Sequence, residues 1–428
     1  MDTTTPGRAY GKITDEGVET LRRRIGLEKV PKPGRWPHNT EVTADAIRHY
    51  AFALGDDNPL YIDAAYAAST RWGGLMAPPL FIWTMGQRQG PASHDPGTAE
   101  LMRGDPLRGV GALQADFLYE FFEPLRVGDR LHTRETLVGV FDKKSSLSTR
   151  AVHSYVGKVG YRPDGGVLFY QRGMWVRHER GEHSGEGRQP QVAPAPYSDE
   201  QLQRIDATYA EETRRGSEPR LWEDVLVGEE LPLRVRGPLR QTDIIIWHMG
   251  WGMGGLTPAY TYRMAYEHRM RKAGMYTPNE LNVPDTVQRM HWEESWAKQV
   301  GMPARYDYGA IREAFLAHAV TDWMGDDGWL SSLSARHRQL NFIGDTSWIR
   351  GKVTGKSISD GRHEVSLELW CENQRGDVTT TGASTVVLPS RSGPATLPKP
   401  PATDPGAVLR FDIDRLAVTQ GAGEGESR

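Results

Sequence analysis

Polar and apolar positions along this chain switch between a helical and a strand period, and the switch happens twice. Thr43 precedes an apolar stripe of Ile47, Tyr50, Ala51 and Leu54, which predicts a capped helix over Ala44–Leu54 closed by a left-handed Gly55. Thr14 and Gly26 bracket a shorter helix over Ile13–Ile25 in the same way. From Leu80 to Gln87 the chain is apolar on nearly every side, with Phe81, Ile82 and Trp83 in succession, so a buried helix is expected. Four segments rich in β-branched and aromatic residues follow: Leu113–Phe122, Arg130–Asp142, Ser146–Arg162 and Val167–Arg177. A turn at Asp164-Gly165-Gly166 joins the last two. A buried helix followed by antiparallel strands is an α+β pattern.

Residues 179–196, rich in Gly, Pro, Glu and Gln, read as a linker, and Ser198 with Gln201 forms a capping box that starts a polar helix to about Arg215. The design then restarts at Leu221. Thr242 caps a helix through Trp247 as Thr43 does, and Gly344-Asp345 repeats Gly128-Asp129, with Arg350 and Arg134 following at equal distance. Val365–Glu372 and Thr379–Leu388 supply the last strands. Met290–Ala310 lies over Leu60–Leu80 without a gap: His291 falls on Tyr61, Gly309 on Pro79, and Trp296-Ala297 on Tyr66-Ala67. The second copy carries 31 additional residues, about 254–284, directly ahead of His291, where a substrate wall is expected. The organisation is therefore 1–180, a linker 181–220, 221–392, and a tail 393–428 expected to be disordered at its end.

Composition narrows the class. The 428 residues are 38% hydrophobic and 25% charged, with a net charge of −3 that gives no reason to expect nucleic acid or a membrane as partner. One cysteine, Cys371, excludes an intrachain disulfide framework and fits a reducing cytoplasm. No apolar run is long enough to span a membrane, and no signal peptide is expected at Met1–Pro6. No metal-ligand spacing appears. Asp322, Asp326 and Asp327 read as solvated acids at a helix end, and Arg22-Arg23-Arg24 as a solvated basic run.

Gly55-Asp56-Asp57-Asn58-Pro59-Leu60-Tyr61 and the approach Gly73-Gly74-Leu75-Met76-Ala77-Pro78-Pro79 resemble the motif of MaoC-like (R)-specific enoyl-CoA hydratases and dehydratases. The resemblance implies a tandem double hotdog, each half a long buried helix wrapped by an antiparallel sheet. It also implies a hydro-lyase that adds or removes water across the 2,3 double bond of an acyl-CoA thioester, with coenzyme A as part of the substrate and no cofactor of its own.

The first copy lacks the parts this chemistry needs. Asp56 and Asn58 stand in place, but Tyr61 replaces the histidine and Pro79 has no N–H for a thioester oxyanion, so this site is expected to be degenerate. The second copy keeps His291 as acid/base and Gly309 as amide donor. The family's aspartate position falls on Thr286, so Asp285 is the expected partner, with Asp307 and Glu293 as other nearby carboxylates. Trp247, Trp251, Trp292, Trp296 and Tyr308 are expected to line the acyl pocket. Two other readings stay open: a hotdog thioesterase using Glu313 as base, and a non-catalytic acyl-CoA-binding subunit. Pairing of chains into a homodimer is also open.

Overall fold

In the computed structural model the described residues are 11–32, 36–143, 150–179, 195–252 and 260–423, with side chains described to residue 418. Residues 181–194 of the expected linker and 253–259 around the start of the insertion fall outside them.

Thr14 and Thr43 cap α1 (Asp15–Arg22) and α2 (Ala44–Leu54) through their hydroxyls, which accept from Gly17 and Ala46 amides, and Gly55 ends α2 at φ 72°. The strands of the first half are β1 (Gly111–Phe121), β2 (His132–Lys143), β3 (Ala151–Tyr161) and β4 (Val167–His178). The second half repeats the plan with α3 (Gln241–Trp251), the buried helix α4 (Gly309–Met324), and β5 (Trp329–His337), β6 (Ser347–Ser359), β7 (Arg362–Asn373) and β8 (Val378–Val387). Both halves belong to one ten-stranded sheet in the order Gln87–Arg88, β2, β3, β4, β1, β5, β8, β7, β6, Arg234–Arg236. β1 and β5 pair antiparallel from Asp116↔Arg336 to Glu120↔Ser332, so the halves join edge to edge and their strand orders mirror each other. This is a double hotdog.

The halves differ where the buried helix should lie. α4 runs sixteen residues and is buried almost throughout, whereas its counterpart in the first half is a single six-residue 3-10 stretch, Pro79–Thr84. The helix expected through Gln87 stops early for a local reason. Gly86 takes φ 113°, and a Cβ there would sit 2.5 Å from Thr133 Cγ2, so the chain turns against β2 and pairs Gln87–Arg88 with its edge. Ile82 and Thr84 are β-branched and add little helix preference of their own.

α2 and α3 cross at close range because Gly250 leaves room for His49 and Ala53; a Cβ there would lie 2.5 Å from the His49 carbonyl oxygen. Gly250→Ala is expected to lower stability by about 1–3 kcal/mol, as overpacking of a tight contact does, measured by urea unfolding.

Most of the tail is described, and its last residues, 424–428, lie outside the described residues. Pro405–Gly423 forms a helix, α5, that packs on the first half. Val408 and Leu409 join Val159, Val167 and Tyr170, and Asp412 accepts from Tyr170 Oη at 2.6 Å and Arg172 Nη1 at 2.8 Å. Arg24 is also not solvated: its guanidinium is buried and donates to the carbonyls of Leu101, Arg103 and Gly104.

Candidate functional site

Two sites follow from the two copies, one beside the C-terminal half of α4 and one at its start. In the first, Asp56, Asn58 and Tyr61 are held by the turn after α2. Asp56 Oδ1 accepts the Asn58 amide at 3.0 Å, and Asn58 Oδ1 accepts that of Leu60 at 2.9 Å. The side chains they face come from the other half. His318 Nε2 lies 3.0 Å from Asp322 Oδ2 and 3.5 Å from Asp56 Oδ1. Arg236 Nη2 lies 3.1 Å from His318 Nδ1; a guanidinium can only donate, so Nδ1 accepts and the ring proton is on Nε2, aimed at the two aspartates. Arg234 Nη2 reaches Asp322 Oδ2 at 2.5 Å, and Tyr66 Oη donates to Asp326 at 2.5 Å.

Asp322 and Asp326, read from sequence as solvated, are thus buried and paired. Asp56, His318 and Asp322 offer ligand atoms within 4.8 Å of one another, but two guanidiniums already supply the positive charge an ion would bring. The cluster is a salt-bridge lock between halves. Beside it a cavity lined by Asn58, Tyr61, Pro79, Ile82, Thr321 and Trp329 holds about 40 Å³ of free space, room for a few waters and not for an acyl chain.

The second site lies around His291. Its loop is pinned by buried Arg289, which donates to carbonyls of Thr277, Pro278, Asp285 and Thr286 and pairs with Glu293 at 3.0 Å. The short hairpin of the insertion, Tyr276–Pro278 against Pro284–Thr286, is thereby fastened to the histidine. His291 Nδ1 lies 2.8 Å from the Tyr306 carbonyl oxygen, so Nδ1 carries the proton and the ring lone pair is on Nε2. The ring stacks on Tyr308 at 3.8 Å, and Tyr308 immediately precedes Gly309, the first residue of α4. Burial is the main cause bringing the imidazole down to about 4, so it is neutral at physiological pH.

The aromatic residues expected to line this pocket divide. Trp247 and Trp251 stack at 5.6 Å, Trp251 meets Tyr308 at 5.3 Å, and Trp292 meets His248 at 5.8 Å. The indole N–H groups of Trp247 and Trp251, Nε2 of His248 and the Tyr308 hydroxyl are buried there without a partner. Trp296 is elsewhere: its N–H donates to the Val287 carbonyl and its face lies under Arg289. His248, not singled out from sequence, completes the box. Its signal was its place between two tryptophans one helical turn apart.

Asp285 does not reach His291. Its carboxylate accepts the Thr286 amide at 2.6 Å, and no carboxylate is among the groups that shift the imidazole. Asp307 is turned into the core beside Arg312 and Asn341, and Glu293 is held by Arg289. Asp285→Asn is accordingly expected to leave turnover close to that of the parent, measured beside His291→Ala. Glu313 is fully buried and both its oxygens are engaged, one by Tyr119 Oη and the other by His337 Nε2 at 2.9 Å, which removes it as a free base for hydrolysis. The same His337 ring fills the space beside Gly309.

Residues 34–157 match the family model described as "FAS1-like, dehydratase domain region". Among curated proteins the chain is similar to a UPF0336 protein of Streptomyces griseus, 31% identical over 103 residues, covering 23% of this chain and 63% of that one. A UPF0336 protein of Thermobifida fusca is 33% identical over 106 residues, 24% of this chain and 64% of its own length. The match therefore spans somewhat less than two thirds of these relatives. A solved structure titled "MaoC-like dehydratase" superposes with a TM-score of 0.57 at 19% identity, over 86% of this chain and 99% of that one. The fold is thus that of the double-hotdog structure titled "MaoC-like dehydratase", and the first half's sequence resembles the FAS1-like dehydratase region. Among the described residues no helix is long and apolar enough to cross a membrane.

Proposed function

We propose that the protein is a hydro-lyase of the hydratase/dehydratase kind acting on an acyl-CoA thioester at the second-half site. The observation that carries this reading is His291, a neutral imidazole fixed through Nδ1 to a carbonyl, with its ring against the residue that opens the buried helix. In the hydration direction Nε2 takes a proton from water as the oxygen bonds to C3 of the enoyl group. The negative charge that moves onto the thioester oxygen is met by the N–H at Gly309 and the positive end of the sixteen-residue helix behind it. The imidazolium then returns its proton to C2. Its depressed pKa makes that return favourable, and dehydration runs through the same steps in reverse.

The first copy lacks an N–H at Pro79, and its Asp56 is consumed by the salt-bridge lock, so it is assigned no chemistry. Among the described residues His291 has no carboxylate partner, which favours a second reading, an acyl-thioester-binding subunit without turnover. The test is a panel of enoyl-CoAs of several lengths. Water addition read by loss of the conjugated thioester absorbance supports the hydro-lyase. Binding with no turnover on any length supports the second reading, and release of free coenzyme A would point to hydrolysis.

A further inference from the structure

The short first-half helix uncovers part of the sheet that α4 covers in the second half, and a lysine lies there. Tyr119, Gln171, Lys158 and Glu135 stand directly opposite one another across β1, β4, β3 and β2, so they share one face. That face is the inner one, because Tyr119 Oη reaches Glu313 of α4 and accepts from Trp83 Nε1 at 3.1 Å. Lys158 Nζ sits 5.9 Å from the ring centres of both Trp83 and Phe169. Glu135, its strand neighbour, gives its carboxylate to Arg88 at 2.7 Å. Among the described residues no carboxylate lies within the 4 Å of an ion pair with Lys158. The group of Arg88, Glu135 and Lys158 therefore keeps one positive charge against aromatic rings. Gln171 beside it is buried, with its side-chain carbonyl unpartnered. Lys158, Glu135, Leu137 and Val156 all keep part of their surface open, so this stretch is reachable.

The face leads to His291. Trp83 contacts Trp251 at 6.5 Å, Trp251 contacts Tyr308, and Tyr308 stacks on the imidazole. One aromatic bank thus runs from the proposed reacting end to the lysine.

Resting on the hydro-lyase reading of that site, we infer that Lys158 forms the far-end subsite for an acyl group ending in a carboxylate. A lone ammonium against apolar rings is costly unless an anion joins it, and burial already brings this one down to about 8. A carboxylate supplies the missing counter-charge, whereas the unpartnered Gln171 carbonyl can only accept and adds nothing to that anion. A plain alkyl chain leaves the ammonium without one. The indole and phenol donors left without partners along the bank suit a substrate that carries oxygen atoms.

The test measures binding by calorimetry, with saturated acyl-CoAs of matched length that end in a carboxylate or a methyl group. The full chain and its His291→Ala and Lys158→Met variants are compared. The carboxylate ligands are expected to bind at least about tenfold tighter, the worth of one charge-assisted hydrogen bond, and Lys158→Met is expected to erase that preference. His291→Ala is expected to keep it. Saturated ligands do not react, so binding reports on the subsite even if no enoyl-CoA is turned over, and that failure would fall on the hydro-lyase reading alone. Equal binding of the two ligand series, or a preference that survives in both Lys158→Met and a Lys158→Gln control, overturns the subsite.

Discussion

His291→Ala is expected to lower kcat/KM for an enoyl-CoA substrate by about 10²–10⁴-fold, the usual worth of a positioned acid/base. The expectation rests on how few alternatives surround this ring. Asp285 is spent on the Thr286 amide, Asp307 on Arg312 and Asn341, and Glu293 on Arg289. His248 is close, but it faces the same box as a second depressed imidazole whose Nε2 has no hydrogen-bond partner among the described residues. The fold of the variant is expected to hold, since the Tyr306 carbonyl that loses its donor lies in a partly buried loop. A variant that folds like the parent and keeps most of its activity would remove His291 from the chemistry.

Arg234→Met is expected to cost about 3–5 kcal/mol of stability, because it leaves buried carboxylates without their cation. Arg234 is almost wholly buried and joins three parts of the chain. It holds Glu212 at 2.9 Å at the end of the helix between the halves, the Thr213 carbonyl, and Asp322 on α4 at 2.5 Å. Without it Asp322 keeps, among the described residues, only His318, whose other carboxylate contact is Asp56. The exposed pair Arg240–Asp243 is the contrast: Arg240→Met should change stability by at most about 1 kcal/mol. Urea unfolding of the two variants decides this, and a loss below about 1 kcal/mol for Arg234→Met would mean that the lock between halves is not structural.

What the sequence disclosed was local or repeated. The Thr43 cap and the Gly55 stop place α2 to the residue, because both act within one helical turn. The two-copy register put His291 beside the start of α4, because it needed only spacing. What stayed hidden were partnerships between distant segments. His318 and Asp322 look like a polar helix end until the other half supplies Asp56, and the α5 side chains make sense only against β3 and β4. The early end of the Pro79–Thr84 helix also depends on a neighbour, since Thr133 occupies the space beside Gly86. Trp296 misled for a related reason. An aromatic residue in the right loop reads as pocket wall, and here its face is taken by Arg289.

Depressing a histidine by burial has a sign for stability as well. The unfolded ring, with its ordinary value near 6.5, binds a proton before the folded ring does. The contribution of neutral His291 is therefore present above that value and is lost as pH falls through about 4.

The pH dependence of kcat/KM for hydration tests the central claim most directly, because it reports the free enzyme's base. A lone buried imidazole with no carboxylate partner predicts a rate that is flat through neutrality and falls on a single acidic limb with its midpoint near 4. A limb centred at or above the ordinary histidine value of about 6.5 would contradict it, by requiring an exposed ring or one raised by an acid.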